Sequence, residues 1–150
     1  MQLLEFAAGN LEESYRIPNE YFADIVDENK NPKGKWAKFK LLHVTALGTQ
    51  FYGMVTTDAV FKDKRIRQAF NYAVDRNRII RYVLKGQASG PAHHGLVPPS
   101  MPGYETDSVR GYSFDPVKAQ ALLAEAGYPR GKGFPEVTLQ LNAGGGRNVS

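Results

Sequence analysis

The segment from residue 61 to 86, FKDKRIRQAFNYAVDRNRIIRYVLKG, has the clearest helical periodicity in the chain. Its apolar residues recur three and four positions apart: Ile66, Ala69, Phe70, Ala73 and Val74, then Ile79, Ile80, Val83 and Leu84. Asp75 stands between the two series as a typical N-cap, and Gly86 is a typical C-terminal stop. The pattern predicts two helices over residues 64 to 85 that meet near Asp75 and form the largest part of the core. The side chains expected to be buried are Phe70, Ile79, Ile80 and Val83.

Three further helices are predicted from apolar spacing and from the residues at their ends. Residues 2 to 9 form a short helix that ends at Gly9, and residues 18 to 26 form another with Pro18 in its first turn. A fifth helix begins at Asp115 and Pro116, which suit the N-cap and first helical positions, and stops at Gly127.

Extended structure is expected in two regions. The runs KFKLLHVTAL and TQFYGMVTT, between residues 39 and 57, alternate or are rich in aromatic and β-branched residues, and Gly48 separates them. They predict an antiparallel pair of strands, and EVTLQL at residues 136 to 141 predicts another strand. Trp36, just before the first run, marks the return of the chain to the core.

Residues 87 to 114 form a long connection that is rich in proline and glycine. Loops of this length in a domain are usually functional or flexible, and here we expect an ordered loop anchored by Tyr104 and Tyr112. His93 and His94 lie in it and are expected to be exposed. Adjacent histidines point in different directions, and no third ligand stands at metal-binding spacing, so no metal site is predicted.

Composition narrows the choice of function without naming one. The chain has 150 residues, the size of one domain, and its 42% hydrophobic and 23% charged residues are ordinary for a globular protein. The absence of cysteine excludes disulfides and thiolate chemistry. No hydrolase, zinc-protease or nucleotide-binding motif occurs, so we predict no catalytic residue, no enzyme activity and no cofactor.

The polar side of the segment 61 to 86 is basic, and the net charge of the chain is +4. The basic residues are Lys62, Lys64, Arg65, Arg67, Arg76, Arg78, Arg81 and Lys85. Asp63 and Asp75 interrupt this run, which favours a solvated helix face. A small basic nucleic-acid-binding domain remains the alternative function on charge alone.

Two stretches resemble one family of binding proteins. DKRIRQAFNYAVDRNRII is similar to the segment D-x-R-[VI]-R-x-A-x-x-x-A-[VI]-[DN]-[RK]-x-x-[IL]-[IV], and YSFDPVKAQALLAEAGYP to Y-D-P-x-K-A-x-x-L-L-x-E-A-G-[YFW]. Both segments are typical of extracytoplasmic solute-binding proteins, family 5, which serve dipeptide, oligopeptide and nickel ABC importers. VPPSMPGY also matches a loop of that family. Thr56 and Val60 depart from the family, where Asn and Pro are commoner.

The resemblance implies an α/β lobe of the periplasmic-binding-protein-like II class, with short antiparallel strands and packed helices. It implies that residues 1 to 150 are a single domain, an internal fragment of the carboxy-terminal lobe of a larger two-lobed protein. That protein would bind a peptide or another small solute, deliver it to ABC permease subunits and reside in the periplasm or outside the cytoplasm. Its export signal is not expected within this fragment, and nucleic acid is not an expected partner.

The resemblance also implies where the ligand binds. Dipeptide-binding proteins use the loop after the strand that corresponds to residues 136 to 141, where an arginine faces the ligand carboxylate. Arg147 falls in that loop here, with Asn142 and Gly145 beside it. A guanidinium can hold a carboxylate through two parallel hydrogen bonds, and glycine lets a ligand approach the backbone closely. These three residues are the predicted ligand site.

Overall fold

The structure is a computed structural model, and it describes residues 2–141. Five helices follow one another along the described chain. They are α1 (Gln2–Ala7), α2 (Asn19–Ile25), α3 (Lys64–Ala73), α4 (Arg76–Arg78) and α5 (Pro116–Glu125). A π-helical turn, Ile79–Val83, continues α4, and short 3₁₀ turns occupy Gly34–Trp36, Thr106–Ser108 and Pro129–Gly131. Four of the predicted helices are confirmed with ends shifted by one or two residues. The helix predicted after Asp75 is confirmed only as the short α4 and the π-helical turn that follows it.

Aspartate side chains start the helices that carry the sequence signature. The Asp75 carboxylate accepts a hydrogen bond from the backbone N–H of Arg78 at 3.0 Å, and Asp115 accepts from Lys118 at 2.9 Å. Asp63 plays the same part for α3, accepting from the backbone N–H of Arg65 at 2.8 Å. Each carboxylate satisfies an N–H group that has no partner within its own helix. The predicted caps at Asp75 and Asp115 are confirmed.

The described residues divide into two units. The first comprises the chain up to Thr45 together with Ile80–Ser89, and its core is formed by Leu3, Ile25 and Val26. Half-buried apolar side chains pack against that core: Ile17, Tyr21, Phe22, Trp36 and Leu41. Trp36 thus packs against the core, as predicted. The side chain of Asn19 in α2 donates to the Val83 carbonyl at 3.1 Å and accepts from Gln87, which ties both parts of this unit together.

The second unit is built on α3 and α5, which pack against each other. Ile66 and Ala69 of α3 and Ala119 of α5 are buried and form the core of this unit. A row of half-buried aromatic rings continues this core. Their centroids are separated by 5.4 Å for Phe61 and Phe70, 6.0 Å for Phe70 and Phe134, and 5.0 Å for Phe134 and Tyr128.

None of the four side chains predicted to be buried in the segment 61 to 86 is fully buried. Phe70 and Ile80 are half-buried, whereas Ile79 and Val83 are 39% and 42% exposed. The cause is the π-helical turn that follows Arg78. In a wider turn residues three apart no longer lie on one face, so an apolar series that suits an α-helix is spread around the axis.

The predicted strands are not confirmed. Within residues 2–141 the structure has no strand, and the pairing there is a single antiparallel bridge between Val26 and Pro32. The runs between residues 39 and 57 have the sequence pattern of strands but form no ladder of β-sheet hydrogen bonds. Val44 and Val55 in these runs are 85% and 65% exposed. A strand requires a hydrogen-bonded partner. Alternation in the sequence predicts which face a strand would bury and does not supply that partner.

The connection before α5 is ordered by the two tyrosines that the sequence singled out. The Tyr104 hydroxyl donates to the His94 carbonyl, and the Tyr112 ring meets Tyr72 edge-on at 5.0 Å. His93 and His94 are half-buried, so their predicted exposure is wrong. His94 Nδ1 lies 3.0 Å from the Thr106 carbonyl, and because a carbonyl only accepts, that nitrogen carries the proton.

Candidate functional site

The ligand residues predicted from the sequence, Asn142, Gly145 and Arg147, lie outside the described residues. The chain that leads to them is described up to Leu141, and residues 136 to 141 have exposed side chains. The site therefore stays a prediction. The geometry of the second unit nevertheless shows what the basic residues of α3 and α4 do.

Arg65 joins α3 to α5. Its Nε and one terminal nitrogen donate to the Asp63 carboxylate, with a closest distance of 2.7 Å, and its other terminal nitrogen donates to the Glu125 carbonyl at 2.6 Å. Glu125 is the last residue of α5, whose final carbonyls have no partner within the helix. The guanidinium also holds the pKa of Asp63 below its ordinary value of 3.8, through the side-chain hydrogen bond first.

Two further arginines bind backbone carbonyls. Arg67 donates to the carbonyls of Phe61 and Lys62, at 2.6 and 2.9 Å. Arg76 donates to the carbonyls of Asn71 and Tyr112, both at 3.2 Å, and to the Asn71 side chain. These contacts give three cations of the basic run a structural role. Lys118 is exposed and places its ammonium 4.5 Å from the centre of the Tyr72 ring.

A groove of about 340 Å³ lies along the polar side of α3. We call it the α3 groove, and the described residues that line it are Tyr52, Met54, Lys64, Arg67, Gln68, Asn71 and Tyr112. Four of these residues follow the spacing of one helical face, which complements the apolar series already recognised. The sequence pattern already marks that face as polar and basic. It could not have revealed the two tyrosines, because they come from loops outside α3.

A second cleft, of about 440 Å³, lies in the connection before α5. His93, His94, Asp107 and Arg110 are among the residues that line it. One ring nitrogen of His94 is engaged by the Thr106 carbonyl. Over residues 2–141, no cluster of three or more His, Cys, Asp or Glu side chains is placed to hold a metal ion. In the same part of the chain, no helix has the length and apolar character needed to cross a membrane.

Comparison with known proteins decides the family. Residues 2–149 match the model of bacterial extracellular solute-binding proteins, family 5, in its middle region. The chain belongs to this family. Membership implies the periplasmic-binding-protein-like II fold. It confirms the resemblance carried by the two signature segments.

Curated relatives point the same way. The chain is 38% identical over 109 residues to heme-binding protein A of Haemophilus influenzae, covering 73% of this chain and 18% of the relative. It is 34% identical over 123 residues to the glutathione-binding protein GsiB of Escherichia coli K12, covering 82% of this chain and 22% of the relative. The chain thus spans about a fifth of the length of the curated relatives it matches.

Proposed function

We propose that the protein to which this chain belongs is the solute-binding component of an ABC importer, working outside the cytoplasm. It captures a small solute between two lobes and delivers it to the membrane permease, and residues 1 to 150 form one domain within its carboxy-terminal lobe. The observation that carries this proposal is the family match over residues 2–149. The bound solute favours the closed state because it contacts both lobes at once.

A peptide is the proposed solute class. One group of relatives is named for binding glutathione, itself a small peptide with free carboxylates, and this supports a peptide-like ligand. Another relative is named for binding heme, which also carries carboxylates. Carboxylates are the chemistry that these two ligands share. A site that holds a carboxylate therefore fits both relatives.

Arg147, with Asn142 and Gly145, is the proposed ligand site in this chain. A guanidinium presents planar N–H donors that match the two oxygens of a carboxylate. Residues 144 to 146 are all glycine, and glycine has no side chain to keep a ligand from the backbone. Asn142 adds an amide that can donate to a peptide carbonyl and accept from a peptide N–H.

The test uses the natural full-length protein and isothermal titration calorimetry with a panel of di- and tripeptides that includes glutathione. Arg147→Ala is expected to weaken binding at least about tenfold, because a charged hydrogen bond contributes about 1.5 to 3 kcal/mol. Arg78→Ala, which removes an exposed arginine of α4, is the matched control and should bind like wild type. Equal affinity of Arg147→Ala and wild type for every peptide would remove Arg147 from the site. Binding of no peptide by the wild type would reject the solute class.

Nucleic-acid binding is less well supported than it was by charge alone. Arg65 is engaged by the Asp63 carboxylate and the Glu125 carbonyl, and Arg76 by Asn71 and the Tyr112 carbonyl, so these two cations of the basic run are committed to protein acceptors. A fluorescence titration against a single-stranded oligonucleotide at rising salt tests this alternative. Tight binding that weakens steeply with salt would favour it over solute capture.

A further inference from the structure

We propose that the α3 groove is a second binding site, for a small carboxylate that carries a flat apolar group. The inference goes beyond the proposed function and does not depend on it, since it is argued only from described residues, none of which is Asn142, Gly145 or Arg147. It rests on four features of the groove: its charge, the fixed position of its guanidinium, its aromatic walls and its size.

The charge of the groove is positive. Lys64 and Arg67 line it, and none of the described residues that line it is acidic. Asp63 precedes Lys64 in the chain, but its carboxylate is paired with Arg65 at 2.7 Å. Within residues 2–141 neither Lys64 nor Arg67 forms an ion pair. An anion entering the groove therefore meets two cations without displacing a protein carboxylate.

The guanidinium of Arg67 is already held in place. One of its terminal nitrogens donates to the carbonyls of Phe61 and Lys62, and the residue is half-buried. A guanidinium has five N–H donors in a rigid plane, so two such bonds leave donors for a ligand. Because the side chain is fixed before binding, little rotamer entropy is lost when a carboxylate arrives.

The walls of the groove suit a flat group beside the carboxylate. Tyr52 and Tyr112 contribute aromatic surface, and Met54 contributes a thioether that packs well on rings. Tyr112 is held by its edge contact with Tyr72 and by the bond from Arg76 to its carbonyl. Gln68 adds an amide that can both donate and accept.

The size of the groove limits the ligand to a small molecule. Its volume of about 340 Å³ lies at the lower end of the usual range for small-molecule sites. Hippurate, which joins a benzene ring, an amide and a carboxylate, is the probe that matches these features. A ligand of that size in an open groove is expected to bind with a dissociation constant of about 1 mM.

The experiment is a titration of the ¹⁵N-labelled protein with sodium hippurate, followed by amide chemical shifts. Shifts are expected along α3 and around Tyr112, and the neutral amide of hippurate should bind at least about tenfold more weakly. Lys64→Met is expected to weaken hippurate binding about threefold, as suits an exposed cation. Lys62→Met removes a neighbouring exposed lysine that does not line the groove, and it should bind like wild type.

A further variant separates geometry from charge. Arg67→Lys keeps the charge and removes the planar fork, and it should weaken hippurate about tenfold while the amide spectrum stays that of the folded protein. The proposal is overturned by any of three results. These are no saturable shift at 10 mM hippurate (about tenfold above the expected constant), equal effects of Lys64→Met and Lys62→Met, and equal competition by inorganic phosphate, which would make the groove a general anion site.

Discussion

The helical pair α3 and α5 and the extended runs of the same unit, residues 46 to 57 and 136 to 141, differ in how they satisfy their backbone. The helices close their hydrogen bonds internally, and Asp63 and Asp115 cap the N–H groups left at their starts. The extended runs have no ladder within the described chain, and Val55 and Leu139 are 65% and 61% exposed. Local sequence is sufficient for the first kind of structure. The second kind also needs a partner.

The connection before α5, like the helices, makes its contacts within the unit. It has no repeating structure, yet Tyr104, Tyr112 and His94 each hold a backbone or ring contact within the unit. Its order comes from specific side chains and from close contact between its two limbs at Gly111 and His93. Four substitutions, taken from the largest expected effect to the smallest, test whether stability follows this division.

Replacing a core residue of α3 should have the largest effect. Ile66 is 2% exposed, and Ile66→Ala is expected to lower the free energy of unfolding by about 2 to 5 kcal/mol, because it removes buried methyl groups and leaves a cavity. Val55→Ala in the extended run is the contrast and should stay within about 0.5 kcal/mol. Denaturant unfolding of both variants measures the difference. Similar losses would show that the extended run is packed as firmly as α3.

Gly111 tests the order of the connection. A Cβ atom at this position would collide with the backbone carbonyl of His93, so Gly111→Ala must displace one limb of the connection. The expected loss is about 1 to 3 kcal/mol, measured by thermal unfolding. Gly48→Ala is the control, because a Cβ there meets nothing within 4 Å and the backbone is not left-handed. If both variants unfold alike, the two limbs are not in contact.

The cap of α5 should have a smaller effect. Asp115→Ala removes the bond to the Lys118 N–H and is expected to cost about 1 kcal/mol of stability. Asp115→Asn keeps an oxygen that can accept the same bond and should lose much less. Circular dichroism during urea unfolding distinguishes the two variants. A loss as large in Asn as in Ala would mean that the charge, and not the cap, stabilises the helix.

The outcome for the sequence predictions follows the same division. The helices were predicted because apolar spacing, aspartate caps and terminal glycines all lie within about ten residues of one another. The strands between residues 39 and 57 were not confirmed because a strand needs a partner segment, and the pattern of a strand's own residues does not specify that partner. Ile79 and Val83 were misplaced because the turn after Arg78 widens to the π form, which apolar spacing does not signal.

The candidate sites divide in a similar way. Arg147, Asn142 and Gly145 came from a family resemblance, and they remain predictions outside the described residues. The polar helix face of the α3 groove is readable in the sequence. The groove itself was missed because Tyr52 and Tyr112 come to lie beside that face only in the folded chain. Sequence patterns thus identified a helix surface. They did not identify the second wall that makes that surface a groove.

The smallest expected effect concerns the ion pair between Asp63 and Arg65 at the start of α3. Arg65 holds the pKa of Asp63 below 3.8, chiefly through the hydrogen bond between their side chains. A carboxyl whose pKa is lower in the folded state stabilises the protein above the unfolded-state pKa, and this contribution is lost as the pH falls through the folded-state value. Asp63→Asn retains an N-cap for α3 and removes the charge. The melting temperature of this variant should therefore fall less between pH 6 and about pH 2.5 than that of wild type. Arg65→Gln removes the cause of the shift and should flatten the profile in the same direction. Parallel profiles for wild type and Asp63→Asn would show that the pair does not contribute to stability. Arg65 would then stabilise the unit only through its bond to the Glu125 carbonyl, beside the packing of Ile66.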